Sequence, residues 1–188
     1  MKIRTLHKTT LINLWIMSIN MNHDDIETGW FHNETEVNQI VDLFIKNLFP
    51  NYISHAEIRE GRAINEYEWS PNIKEILLKE FESSLRNKVL DGSNIVFAKF
   101  KDDFVGFALL EYGESPNGKH AILSDIIVSE PFRRNGIGEK LVHWIEDALI
   151  CNGIFNLYAE SNVLNKSAHA FLHKQGFKGI SKVFLKHL

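Results

Sequence analysis

Residues 125–138, Asp-Ile-Ile-Val-Ser-Glu-Pro-Phe-Arg-Arg-Asn-Gly-Ile-Gly, carry the densest chemical information in the chain. An apolar run ends at Val128, a short basic turn follows, and a helical pattern opens on Gly136 and Gly138. Backbone N–H groups at the start of a helix converge on one point, the helix dipole favours an anion there, and glycines let a phosphate approach the backbone. Arg133 and Arg134 add guanidinium groups that bind phosphate bidentately. The turn Arg133, Arg134, Asn135, Gly136, Ile137 and Gly138 therefore reads as a phosphate cradle. A turn that merely needs flexible glycines is the plainer alternative.

Other chemistries fit less well. A dinucleotide fold would use G-x-G-x-x-G after a strand with an acid about 20 residues on. Glu160 could supply the acid, but Leu141 stands where the third glycine belongs, and the strands before the turn read as antiparallel hairpins. His169 and His173 have the i, i+4 spacing of helical metal ligands, yet no third ligand has suitable spacing, so no metal is expected. No G-x-S-x-G elbow occurs, and Cys151 reads as an inert thiol near a helix end.

The elements that must position the cradle follow from periodicity. Asn33 and Glu36 form a capping box, and Val37, Ile40, Val41, Phe44 and Leu48 keep helical spacing until Pro50. Ser70-Pro71 is expected to open a second helix with Ile73, Ile76, Leu77, Phe81 and Leu85 inward, ended by Asp91-Gly92. Between them, 51–69 has no clear period and is expected to be a loop, either a plain surface loop or a substrate lid. Strands follow at 95–100, 104–112 and 121–128, then a helix over 136–150, a strand at 154–159, a helix over 166–175 and a last strand over 177–185. Nothing splits the chain, and 188 residues make one domain at roughly 100 to 200 residues per domain.

Composition narrows the partners. Hydrophobic residues at 44% and charged residues at 24% exclude a fully disordered or fibrous chain. Twenty-one Lys and Arg against 24 Asp and Glu leave a net charge of −3, so neither nucleic acid nor an anionic membrane is an expected partner. One cysteine excludes an internal disulfide and a C-x-x-C site, which fits a reducing, cytoplasmic setting. Lys2, Arg4 and Lys8 before the apolar run 11–19 imitate a targeting signal, but Asn13 interrupts the run and no A-x-A-like site follows. A first core strand is the favoured reading there. No run reaches the about 18 apolar residues of a membrane span.

Arg133-x-x-Gly136-x-Gly138, after a strand ending at Val128, resembles the acetyl-CoA pyrophosphate loop of the GNAT superfamily of N-acetyltransferases. Asn165-x-x-Ala168, then Phe171, Lys174 and Gly176-Phe177, is similar to that family's later helix and strand. The resemblance covers about residues 95–188. It implies an α/β fold with a mixed central sheet, an antiparallel N-terminal meander, splayed parallel strands and helices on both faces. Residues 94–188 would form the acetyl-CoA core and 1–93 the substrate side, with 51–69 as the candidate lid.

The resemblance also implies roles. The pantetheine would lie between 125–128 and 154–159, paired with the backbone of Ile126, Ile127 and Val128, where one N–H would polarise the thioester carbonyl. Asn165 would contact acetyl-CoA from the other side. Asp125 stands where polyamine acetyltransferases carry an acid that meets the amine, and Glu111 on the neighbouring strand is the second candidate base. Leu172 replaces the tyrosine with which many members reprotonate the leaving thiolate; either Tyr158, His169 or His173 would substitute, or the thiolate, with a thiol pKa of about 8.5, would leave unprotonated. Tyr158 also reads as a core residue.

The substrate is less visible. Residues 1–93 carry 14 acids and 10 bases, and residues 94–188 carry 10 and 11, so the expected substrate side favours a cation. Glu66, Glu68 and Trp69 in the candidate lid would grip an amine by charge and cation–π contact, although a solvated face explains them equally well. The expected acceptor is a small cationic amine, aminoglycoside-like or polyamine-like. A protein amine is the runner-up, a non-catalytic acyl-CoA sensor the rival from another class, and a homodimer the candidate assembly.

Overall fold

The fold is a computed structural model that describes residues 25–186; the apolar run 11–19, expected as a core strand, lies outside the described residues. The first strand seen is instead β1 (Ile26–Trp30), which lacks strong alternation and lies at a sheet edge. It precedes α1 (Val37–Lys46), whose 3-10 entry is capped by Asn33: its Oδ1 accepts the Thr35 N–H while its Nδ2 donates to Glu36. Residues 51–69 are not a bare loop. They contain α2 (His55–Arg59), β2 (Ala63–Asn65) and β3 (Glu68–Trp69), the last two paired as a small hairpin.

Helix α3 (Ile73–Leu85) begins later than expected: Asn72 is its N-cap, and Ser70 accepts the Asn72 N–H in the preceding turn. Then come β4 (Ser93–Phe100), β5 (Asp103–Ser115), β6 (Gly118–Val128), α4 (Ile137–Cys151), β7 (Leu157–Ala159) and α5 (Lys166–Lys174). The main sheet runs β1-β4-β5-β6-β7, with β6 and β7 parallel and every other pair antiparallel. Strand β7 is shorter than expected because Ile154 is used to end α4, its N–H bonding the Leu149 carbonyl.

The sheet divides two cores because alternate strand residues point to opposite faces. Val96, Ala98, Phe100, Ala108 and Leu110 meet Ile137, Leu141, Ile145 and Leu149 of α4. Ile95, Phe107 and Leu109 meet Ile40, Val41 and Phe44 of α1 and Leu77 and Phe81 of α3. Each fully buried Leu, Ile or Phe contributes about 1.5–3 kcal/mol, so both helix layers are pinned to the sheet. The last expected strand does not form. Residues 177–186 lie outside any strand, with Ile180 77% and Phe184 89% exposed.

Candidate active site

Two irregularities in β6 coincide. Leu109 pairs with Asp125 but Leu110 with Leu123, so Ser124 is an extra residue that kinks β6 in the manner of a β-bulge. Strand β7 pairs with β6 only through Leu123–Ala159, and beyond that point the two strands part. The gap opens into a cleft of about 610 Å³. Ile126, Ile127 and Val128 line one wall; Ala159, Glu160, Ser161 and Asn165 line the other.

The phosphate end is built from both sequence motifs. Gly136, the N-cap of α4, has φ 76°, a left-handed conformation that a Cβ would strain, and no side chain caps the helix. A Cβ on Gly138 would come within 3.2 Å of Phe171, so the glycine lets α5 pack against the start of α4. Lys174 of α5 donates to Glu139 of α4 at 2.7 Å, tying the same two helices. Arg133 donates to the Val128 carbonyl at 3.0 Å and to Asn47 Oδ1 at 2.7 Å, which fixes the turn, while Arg134 is exposed at φ 69°. Of the six cradle residues only Asn135 lies outside the lining; its amide donates weakly to the Phe132 carbonyl at 3.4 Å.

These residues fit an acyl-CoA. The cleft offers an uncapped helix N-terminus for phosphates, an edge of β6 that β7 leaves unpaired beyond Leu123, and the Ser161 hydroxyl, which is buried without a hydrogen-bond partner. Asn165 is buried; its Oδ1 accepts the Ala168 N–H and the Ser167 hydroxyl, so it caps α5 while lining the cleft.

Behind the bulge sits a buried polar cluster that the sequence reading did not assemble. Arg62, 1% exposed, donates to Asp125 at 2.8 Å and to Glu80 at 2.9 Å, with a second bond to Glu80. The Tyr52 hydroxyl donates to the other Asp125 oxygen at 2.7 Å. Burial opposes the Arg62 charge, and the Asp125 and Glu80 carboxylates overcome it and hold the guanidinium protonated. Burial, then Asp125, pushes the Tyr52 hydroxyl well above its ordinary range. Burial also raises Glu80 despite Arg62, and burial with the charge of Glu60 raises Glu111.

A strap crosses the cleft nearby. Ser54 is the N-cap of α2 in a capping box with Glu57, and its hydroxyl donates to Glu160 at the end of β7, 2.7 Å away. His55 Nδ1 also meets Glu160 at 2.5 Å, and Asn162 donates to the Ile53 carbonyl. Tyr52, Ser54 and Glu57 line the cleft. The Ser54-x-x-Glu57 spacing was the sequence signal that could have found this element.

The remaining expected site residues lie elsewhere. Asp125 sits behind the lining, with both oxygens engaged by Arg62 and Tyr52, so it is not free to act as the base. Glu111 is half-buried next to Ser124, outside the lining. Tyr158 is 45% exposed, not core, and packs edge-on against His120. Trp69 packs against Phe44 and Tyr52, Glu68 is exposed, and neither they nor Glu66 reach the lining. His173 meets the Phe177 carbonyl, and among the described residues the one cluster tight enough for a metal is Glu60, Glu80 and Glu111, in which Glu80 is bound by Arg62.

No curated protein sequence matches the chain. Among solved structures it is similar to the aminoglycoside N-acetyltransferase AAC(6')-Iy in complex with CoA, at 16% identity and a TM-score of 0.63, covering 87% of this chain and 94% of that one. It is also similar to the aminoglycoside acetyltransferase meta-AAC0020 from an uncultured soil metagenomic sample in complex with sisomicin, at 15% identity and a TM-score of 0.60, covering 88% and 96%. A third is the ribosomal-protein-alanine N-acetyltransferase from Brucella melitensis biovar Abortus 2308, at 13% identity and a TM-score of 0.61, covering 87% and 99%. These likenesses establish the fold, whose preceding antiparallel strands also set it apart from a dinucleotide-binding domain. The sequence profile described as the acetyltransferase (GNAT) family matches residues 61–177, more than half of the chain and both splayed strands, and the protein is therefore a member of the GNAT family, an acyl-CoA-dependent N-acetyltransferase.

Proposed function

We propose that the enzyme moves the acetyl group of acetyl-CoA directly to a primary amine of a small cationic molecule, aminoglycoside-like or polyamine-like, in the cytoplasm. The observation that carries this reading is the charge at the apex of the cleft. Glu57 and Glu160 line it, and Glu60, Glu80, Glu111 and Asp125 lie behind the lining, against Arg59, Arg62 and His55. Such an excess of carboxyl groups beside an acyl donor attracts an ammonium and disfavours anionic acceptors. Glu111, beside Ser124, and Asp125, paired with Arg62, supply charge behind the lining. Two structural neighbours are aminoglycoside acetyltransferases, which is consistent with this class. A protein N-terminal or lysine amine is the alternative, since another neighbour is a ribosomal-protein-alanine acetyltransferase. A sensor that binds acyl-CoA without turnover is the rival from another class.

A homodimer belongs to the same proposal. Among the described residues, nine of the twelve exposed large hydrophobic side chains fall between Ile150 and Leu185, around the free edge of β7 and the extended C-terminal segment. The test of function is acetyl-CoA-dependent thiol release against sisomicin, spermidine and an alanine-terminated peptide, beside calorimetric binding of acetyl-CoA. Turnover of sisomicin or spermidine with little on the peptide is expected. Turnover confined to the peptide would favour the protein acceptor, and binding without any turnover the sensor. Gly136→Val is expected to abolish acetyl-CoA binding, because a Cβ strains the φ of 76° from which the cradle starts.

A further inference from the structure

An ammonium nitrogen has no lone pair, so the acceptor must lose a proton before it can attack. Three carboxylates border the cleft. Glu139 lies at the phosphate end in the first turn of α4 and is paired with Lys174. Glu160 accepts from the Ser54 hydroxyl, the His55 ring and the Ala56 N–H, which commits it to the strap. Glu57 is the third. It is 3% exposed and makes no salt bridge among the described residues; its donors are Ser54, whose N–H bonds Oε2 at 2.5 Å, and its own backbone.

We propose that Glu57 is the catalytic base, taking one proton from the ammonium of the acceptor. This rests on the acetyl-transfer reading. The amine lone pair then forms the C–N bond to the thioester carbon, the C–S bond breaks, and its electron pair leaves on sulfur. The second nitrogen proton ends on that thiolate and the Glu57 proton passes to solvent, so the products are the amide, the CoA thiol and one proton.

The surroundings of Glu57 suit the task. Tyr52 faces it from the turn before α2, Asp125 with its partner Arg62 faces it from β6, and Glu160 with His55 closes the strap beyond Ser54. Burial first, then the negative charge of Asp125, raises the Glu57 carboxyl above the ordinary carboxylate range, toward the affinity a base needs near neutral pH. Asp125 thus acts through Glu57 as a positioning charge.

The test is the pH profile of kcat/KM from about pH 5 to 9 with acetyl-CoA and each of sisomicin, spermidine and the peptide, for wild type, Glu57→Gln and Ser54→Ala. The glutamine keeps an oxygen that accepts the Ser54 N–H, so α2 stays capped. Wild-type activity is expected to fall on the acid side with an apparent pKa above the usual glutamate value of about 4.3. Glu57→Gln is expected to lose that limb and about 10²-fold or more in kcat, with the KM for acetyl-CoA and the melting temperature unchanged. Ser54→Ala is expected to melt lower and keep the acid limb. Glu57→Gln that retains rate and limb overturns the assignment alone, as does a loss matched by Ser54→Ala with the limb intact. Wild type that turns over none of the three amines overturns it together with the reading on which it rests.

Discussion

Arg62 is the residue on which the polar interior depends. It is enclosed between Asp125, Glu80 and the face of Phe44, whose ring centroid lies 5.8 Å from its guanidinium carbon. Replacing one member of a buried ion pair leaves its partner charged without compensation, which costs about 3–5 kcal/mol, whereas replacing both by apolar groups is often neutral. Arg62→Met is therefore expected to lower the urea unfolding free energy by about that much, and Arg62→Met with both Asp125→Leu and Glu80→Leu to recover most of it. A single variant within about 1 kcal/mol of wild type would show that the pair contributes little here. The cluster also explains why Asp125 reads in sequence as a free catalytic acid. Its partners Tyr52 and Arg62 lie 73 and 63 residues away, and no local pattern announces such a pairing.

At the scale of elements, what was legible has a strong period and what was not is short. The strands of the meander are apolar runs bounded by polar turns, alternating only in β6, and the helices that cover them keep four or five apolar residues at helical spacing, so β4, β5, β6, α1, α4 and α5 stand close to where the pattern puts them. The stretch from 51 to 69 holds a helix of five residues and strands of three and two, too short for any period to emerge, and it is ordered by contacts with β7 instead. The cradle was legible because its glycines answer to local backbone geometry; the strap was not, because Glu160 is 106 residues from Ser54. Removing that carboxylate should loosen the strap alone. Glu160→Ala is expected to speed hydrogen exchange at the amides of Ile53–Glu57 while those of α4 keep their protection. Equal exchange in both proteins would mean that packing of Ile53, fully buried, holds the strap without Glu160.

For the whole molecule, the two edge strands of the main sheet both lack an outer partner among the described residues but differ in their cover. At its β1 end, Trp30 meets Trp144 of α4 edge to face with centroids 5.0 Å apart, while at the β7 end Phe155 is 77% and Tyr158 45% exposed. The predicted last strand has the composition of one, with Ile180, Val183, Phe184 and Leu185, yet no backbone hydrogen bond ties 178–186 to the sheet. A free strand edge beside an unpaired apolar segment is a template for association, and a two-fold contact would satisfy both features in each copy at once. Sedimentation equilibrium is therefore expected to give twice the chain mass of 21.7 kDa at micromolar concentration. Val183→Asp with Phe184→Asp is expected to shift it to the chain mass with acetyl-CoA binding kept, since neither residue lines the cleft. A wild-type protein that sediments at 21.7 kDa at tens of micromolar would remove the dimer and leave the exposed segment to fold back on its own β7 edge.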